Sequence, residues 1–346
     1  MRFSGEGVMS ANWKKYAWSM LSLSRRNEWV GTAPLSFSNE DLRDMFPHEK
    51  IYCVPMDSLE PFDGVLVLDF QIQSPENMDS LPEDCVSKIL SYTSPPDACR
   101  FSMVSSTMRS AADSDLLWQS FFPSDYRHIL SRALYPHTLD SSSYKHLFYS
   151  LCHPLLLDGG NMSFKLDKCS GKKSYILSAR QLSITWSSDP LYWCWRTVPE
   201  SRFKEVAELR MVSWLEIRGK IRTRVLTANT WYAVYLIMKI SHREYGLDRV
   251  ACEVSVAVGE KVQSGRVYLC EKDEKKGKKE RVLNMEEEVI GVATRRDDGW
   301  MEIKMGEFLS GHNEEEVTMS LMEVSYPLKG GLIVEGIEVR PQYHHS

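Results

Sequence analysis

At 346 residues, 43% of them hydrophobic and 26% charged, with ten tryptophans, the chain has a globular composition and is long enough for two ordinary domains. Its formal net charge of −5 gives no general attraction to phosphate backbones or anionic membranes, which argues against nucleic acid and lipid as partners. The eight cysteines form no Cys-x-x-Cys pair and no His spacing of the zinc type, so they read as reduced thiols and call for no metal. Lys14, Lys15, Arg25 and Arg26 interrupt every candidate signal-peptide run near the start. The longest apolar stretch, 232–238, is far short of the roughly 20 residues of a membrane-spanning helix.

Residues 1–77 carry no sustained period. Ala33-Pro34, Phe46-Pro47, Val54-Pro55 and Glu60-Pro61 punctuate a loop-rich extension, with one short strand predicted over 64–70. Helix punctuation becomes dense at Ser80. Ser80 with Glu83, and Pro82 near the first turn, has the form of a capping box, and Ser94-Pro95-Pro96-Asp97 repeats the device. Val86, Ile89 and Leu90, then Ala98, Phe101 and Val104, then Met108 and Ala111 fall three or four apart, each set predicting one apolar helical face. Leu116, Leu117, Trp118, Phe121 and Phe122 close a helical bundle over 79–126. A bundle this small is expected to lean on a partner. Residues 127–171 read as connecting structure, with a helix over 144–152 and a turn at Asp158-Gly159-Gly160.

From about Tyr175 the period changes. Leu182, Ile184 and Trp186 alternate with polar residues, Ser187-Ser188-Asp189-Pro190 makes a turn, and Tyr192-Trp193-Cys194-Trp195 follows, which predicts a hairpin. Further strands are predicted over 214–221, 230–240, 251–258, 266–270, 299–304, 317–326 and 332–339. Many short strands with no βα units between them favour an antiparallel β-sandwich or jelly roll, making the whole chain α+β and multidomain.

Leu81-Pro82-Glu83-Asp84 through Ile89-Leu90-Ser91, then Asp97, Val104-Ser105 and Leu117-Trp118, resembles the F-box pattern. The resemblance implies that 79–126 docks onto the Skp-type adaptor, and so onto the cullin, of an SCF ubiquitin ligase, with Leu81, Pro82, Ile89 and Leu90 as contacts. Leu177-Ser178-Ala179-Arg180, Ser183-Ile184-Thr185-Trp186, Pro190-Leu191-Tyr192-Trp193, Trp214-Leu215-Glu216-Ile217, Gly299-Trp300-Met301-Glu302-Ile303 and Gly336-Ile337-Glu338-Val339-Arg340-Pro341 resemble the phloem protein 2 lectins of plants, related to tobacco agglutinin. That resemblance covers about 172–341 and implies a carbohydrate or glycoprotein ligand. Residues 1–77 lie outside it.

A sugar reader needs an exposed flat aromatic for stacking and a few fixed polar groups for orientation. Trp186 and Trp193 flank the predicted turn, so a hairpin would bring both indoles to its mouth. The resemblance makes them the sugar platform, whereas alternation alone would as readily place either one in the core. Glu316 and Glu323 match acidic positions of the lectin site. As two carboxylates they also admit a glycosidase pair, or simply a solvated acidic edge beside Glu314 and Glu315. Lys275-Lys276-Gly277-Lys278-Lys279 reads as a nuclear import signal or as solvated surface, consistent with a cytoplasmic or nuclear protein. Gly-rich phosphate loops, His-Glu-x-x-His and Gly-x-Ser-x-Gly do not occur. The sequence therefore reads as a soluble, non-catalytic adaptor that needs no cofactor.

Overall fold

The computed structural model describes residues 28–33, 51–53, 66–71, 81–247, 251–271 and 289–343, which divide into two compact units. In the first unit, β1 (Glu28–Ala33), β2 (Ile51–Cys53) and β3 (Leu66–Gln71) pair antiparallel in the order β1-β3-β2. The strand predicted over 64–70 is β3. Its two partners lack readable alternation and arise by pairing with it.

Short helices, most with local start signals, follow. Pro82 is the N-cap of α1 (Glu83–Leu90) and makes no side-chain cap bond, while Glu83 and Asp84 complement the positive end of the helix dipole. Pro82 thus precedes the first turn, and Ser80 of the expected capping box lies outside the described residues. At α2 (Pro95–Phe101) the expected cap forms: Ser94 Oγ accepts from the Asp97 N–H at 3.3 Å and donates to the Asp97 carboxylate at 2.6 Å. Ser105 caps α3 (Ser106–Asp113) through the Met108 N–H, and α4 (Asp115–Ser120) follows directly. Because α2 stops at Phe101, the helical period does not reach Val104, which stands exposed in the next turn and not on the buried face.

The apolar faces converge on Val86, Leu90, Phe101, Met108, Leu117 and Trp118. Trp118 is completely buried and donates its indole N–H to the Ala112 carbonyl at 2.7 Å. After α5 (Tyr126–Ser131), Phe148 of α6 (Tyr144–Leu151) packs its ring 5.4 Å from Trp118 and 6.2 Å from Phe121, and Lys145 pairs with Asp113 at 2.5 Å. These aromatics enlarge a core that four short helices alone would leave thin.

The second unit is a sheet folded over on itself. β4 (Leu155–Leu157) and β5 (Met162–Leu166) come from the segment read as a connector, and they pair into the sheet through β6 (Lys173–Ser178). The remaining strands are β7 (Ser183–Ile184), β8 (Trp193–Arg196), β9 (Val206–Leu209), β10 (Leu215–Arg222), β11 (Thr230–Tyr245), β12 (Cys252–Val258), β13 (Lys261–Glu271), β14 (Val289–Arg295), β15 (Met301–Ser310), β16 (Glu316–Glu323) and β17 (Gly330–Pro341). One layer runs β4-β5-β6-β17-β11-β15, with β9 and then β8 attached to β17. The other runs β13-β12-β16-β10-β7, and β14 joins the two, pairing parallel to β13 and antiparallel to β15. Every other pairing among the described strands is antiparallel, as the sequence predicts.

Strict alternation aims β10, β12 and β16 at the first layer: Leu215 and Ile217, Val254 and Val256, and Met319 and Leu321 are all buried. The layers approach closely at Gly219, where an added Cβ would stand 3.0 Å from Ile337 Cδ1 of β17, and at Gly306 of β15, where it would stand 2.9 Å from Val256 Cγ2 of β12. Outside the first layer, Val198, Val206, Ile237, Trp300 and Ile333 form a second apolar cluster under the β8–β9 connection.

Trp118→Ala should destabilise the helical unit by about 3–5 kcal/mol, by cavity formation and an orphaned Ala112 carbonyl. Trp118→Phe should cost about 1–3 kcal/mol, chiefly the lost hydrogen bond. Urea denaturation followed by circular dichroism at 222 nm measures both.

Candidate functional site

The two tryptophans expected to meet at a hairpin mouth are not brought together. β7 pairs with β10 in one layer and β8 with β9 in the other, so residues 185–192 carry the chain from layer to layer instead of closing a hairpin. Consecutive turns make this crossing: the Ser187 N–H bonds to the Ile184 carbonyl, the Asp189 N–H to Trp186 and the Trp193 N–H to Asp189. Trp193 is 2% exposed, a core residue with no free ring face, whereas Trp186 is 44% exposed.

Trp193 nevertheless acts on the site. Its indole N–H donates to the Thr185 carbonyl at 3.1 Å, and that of Trp195 donates to the Ser187 carbonyl at 2.9 Å. The carbonyls on both sides of Trp186 are thereby pinned. Trp186 itself sits at φ 60°, a left-handed conformation that costs a bulky residue on the order of 1–3 kcal/mol and persists only where the surroundings dictate it. The result is an outward-facing indole with the Tyr192 ring 5.1 Å away at a 35° tilt. Asp189 accepts from the Leu191 N–H at 2.9 Å and keeps this turn compact.

A second exposed indole, Trp214, lies at the same end of the sandwich, because β7 ends where β10 begins. Its N–H donates to Glu216 Oε2 at 3.0 Å, the same oxygen that Thr185 Oγ1 reaches at 3.1 Å, while Arg218 pairs with Oε1 at 2.5 Å. The Trp214 N–H foremost, aided by Thr185 and Arg218, holds the Glu216 carboxyl below its ordinary range. Sequence reasoning used Trp214 and Glu216 only as motif residues. Their signal was positional: Trp214, Glu216, Arg218 and Lys220 occupy the polar phase of an alternating strand and therefore face outward.

Glu316 and Glu323 do not form a carboxylate pair. Seven is an odd spacing, so the two side chains point to opposite faces of β16, and its two ends are roughly 23 Å apart. Glycosidase carboxylates need a separation of about 5–10 Å. Glu316 is exposed and ion-paired to Lys220 at 2.7 Å, which holds its carboxyl below the usual range. Glu323 is 4% exposed and buried against Lys329, with the Ser325 N–H donating to Oε1 at 2.8 Å. The Lys329 ammonium also donates to the carbonyls of Ser213 at 2.6 Å and Pro327 at 2.9 Å, and desolvation lowers its pKa. The pair is an anchor that ties 324–329 to 213 and leaves Tyr326 fully exposed.

A phloem protein 2 family model matches residues 172–341 and an F-box domain model matches 78–120. The F-box protein PP2-B15 of Arabidopsis thaliana is 48% identical over 281 residues, covering 76% of this chain and 96% of that protein. This chain belongs to the F-box proteins of the phloem protein 2 family. F-box protein VBF, also from Arabidopsis thaliana, is 46% identical over 282 residues, 77% of this chain and all of that one. Among solved structures, a Podospora anserina GH26-CBM35 mannanase aligns at a TM-score of 0.28 and 9% identity, covering 50% of this chain and 28% of that one, too distant to inform the fold.

On the F-box, Pro82 is exposed and Leu81 and Ile89 are half-buried, so all three present surface to a partner. Leu90 does not: at 1% exposure it belongs to the module's own core, because it completes the inward stripe of α1 with Val86. Met103, Val104 and Leu116 are instead exposed, at 74%, 66% and 62%. Leu116 lies off the buried Leu117–Trp118 side of α4, whereas Met103 and Val104 lie in the turn beyond the end of α2, onto which the spacing in sequence continues the apolar face. The basic run at 275–279 lies outside the described residues.

Lys329→Met in the phloem protein 2 domain should cost about 3–5 kcal/mol, because it strands Glu323 as an uncompensated buried charge. Pairing it with Glu323→Leu should recover much of the loss. Guanidinium unfolding of the single and double variants tests this, and equal loss in both would remove the anchoring role.

Proposed function

We propose that this F-box protein is the substrate-recognition subunit of an SCF-type ubiquitin ligase: the F-box docks the Skp-type adaptor and the phloem protein 2 domain binds carbohydrate on a glycoprotein. Its contribution is proximity, raising the effective concentration of target beside the transfer machinery, with the ubiquitin chemistry left to partner subunits. A cytoplasmic place of action that extends to the nucleus belongs to the same proposal. The sugar half is carried by the outward Trp186–Tyr192 pair, a stacking surface clamped in place beside the fixed polar groups of Asp189, Thr185 and Glu216. The docking half is supported by family membership and by the accessible apolar residues Pro82, Met103, Val104 and Leu116.

A second reading keeps the docking and replaces sugar by polypeptide. Leu191, Met211, Val324 and Leu328 stand exposed on the loops at the aromatic end, and aliphatic side chains suit a protein surface better than a polyhydroxylated one.

Purified Skp-type adaptor should be captured by the wild-type chain and lost from a folded Leu81→Ala, Pro82→Ala double variant; an adaptor that ignores the wild type removes the docking half. On a glycan array, Trp186→Ala should weaken binding by about tenfold or more without loss of stability. Trp193→Phe, which keeps the bulk and removes the clamping N–H, should weaken it less. A folded wild type that binds no glycan leaves the polypeptide reading.

A further inference from the structure

We infer that Arg180 is a positioning residue for the Trp186–Tyr192 surface: it holds Trp195, and through Trp195 the backbone beside Trp186, without touching what binds there. The surface is the one assigned to carbohydrate above, so the effect on binding rests on that reading, while the effect on geometry does not.

The support begins with strand phase. Trp193 and Trp195 are two apart on β8 and share one of its faces. Their indole N–H groups reach carbonyls that are also two apart, Thr185 at 3.1 Å and Ser187 at 2.9 Å, one on each side of Trp186. The two clamps are not equivalent. Trp193 is 2% exposed and fixed by the core, whereas Trp195 is only half-buried. One clamp is therefore held by packing, and the other needs a partner at the surface.

Arg180 is that partner. It belongs to the 3-10 turn Ala179–Gln181, which carries the chain from β6 to β7, and its guanidinium carbon lies 3.7 Å from the centre of the Trp195 ring. At that distance a planar guanidinium covers the indole face and adds cation–π attraction to the contact. Glu205, immediately before β9, fixes the plane: Arg180 Nε and Nη2 both donate to its Oε2, at 3.0 and 2.8 Å. The contacts thus run from Glu205 to Arg180, to Trp195, to the Ser187 carbonyl and so to Trp186.

Where this series ends gives the ion pair its role. The side chains of Arg180 and Glu205 are 42% and 35% exposed, and a pair so open to water adds little to stability. Its loss should leave the fold intact and be felt at the indole it covers. Trp186 keeps its φ of 60° only while its surroundings dictate it, so a released Ser187 carbonyl lets the turn at 186–189 relax.

NMR on the isotopically labelled full chain tests this. Arg180→Ala should raise solvent exchange of the Trp195 indole N–H by about threefold or more and leave that of Trp193 unchanged. The Asp189 amide, which bonds to the Trp186 carbonyl at 3.0 Å, should lose protection by a similar factor. Trp195→Phe, which keeps a ring and removes the N–H, should cause the same loss at Asp189, and adding Arg180→Ala to it should cause no more. Arg180→Lys keeps the charge opposite Glu205 without the planar face, and should recover less than half of the protection. Unchanged exchange at Trp195, equal increases at both indoles, additive losses at Asp189 or full recovery by lysine would each overturn the positioning role. Where the wild type captures a glycan, Arg180→Ala should weaken it by about threefold, less than Trp186→Ala, and an unchanged affinity would count against the role in the same way. Altered exchange with no glycan captured leaves the positioning role standing and removes the carbohydrate reading.

Discussion

The second unit depends on one constraint: β10, β12 and β16 each place every second residue on a dry face, and that face is satisfied only by folding the sheet back on β11, β15 and β17. Gly219 and Gly306 mark close approaches, since their absent side chains let Ile337 and Val256 come in from the facing layer. Once one phase of each strand is committed to the core, the other phase is free of folding duty. Trp214, Glu216 and Arg218 occupy that free phase, and their chemistry is the chemistry of the exposed face.

The aromatic end shows how the core controls the surface. Trp186 holds a backbone conformation that costs on the order of 1–3 kcal/mol, and two buried or half-buried indoles hold it there through the carbonyls on either side. Each such hydrogen bond contributes about 0.5–1.5 kcal/mol net, comparable to the strain it offsets. Lys329 and Glu323 perform the same office for the neighbouring loop, with a buried ion pair and several carbonyl bonds. Two of the four residues expected to touch sugar, Trp193 and Glu323, are therefore supports.

The F-box is built on a different scale. Its helices are six to eight residues long, too short to be stable by themselves, and they persist through a core centred on Trp118 with rings from Phe121 and Phe148. With so few buried positions, Val86 and Leu90 are needed inside, and only the residues left over, such as Pro82, Met103 and Leu116, can serve a partner.

Much of this was legible in the sequence because it depends on neighbours along the chain. The Ser94–Asp97 cap, the apolar spacings of α1 and α3, and the alternation of β10, β12 and β16 are local, and so is the odd spacing that puts Glu316 and Glu323 on opposite faces. Family membership was legible too, through motifs spread over the second unit. Tertiary structure alone decided which of two similar residues does which work. Trp186 and Trp193 both fall in alternating segments, and Leu90 and Ile89 are adjacent on one helix, yet their roles diverge. The reason is that periodicity specifies a face and says nothing of what covers it: β7 and β8 read as partners in a hairpin, but each found a better backbone ladder in a different layer, and that choice sent one indole into the core and left the other in solvent.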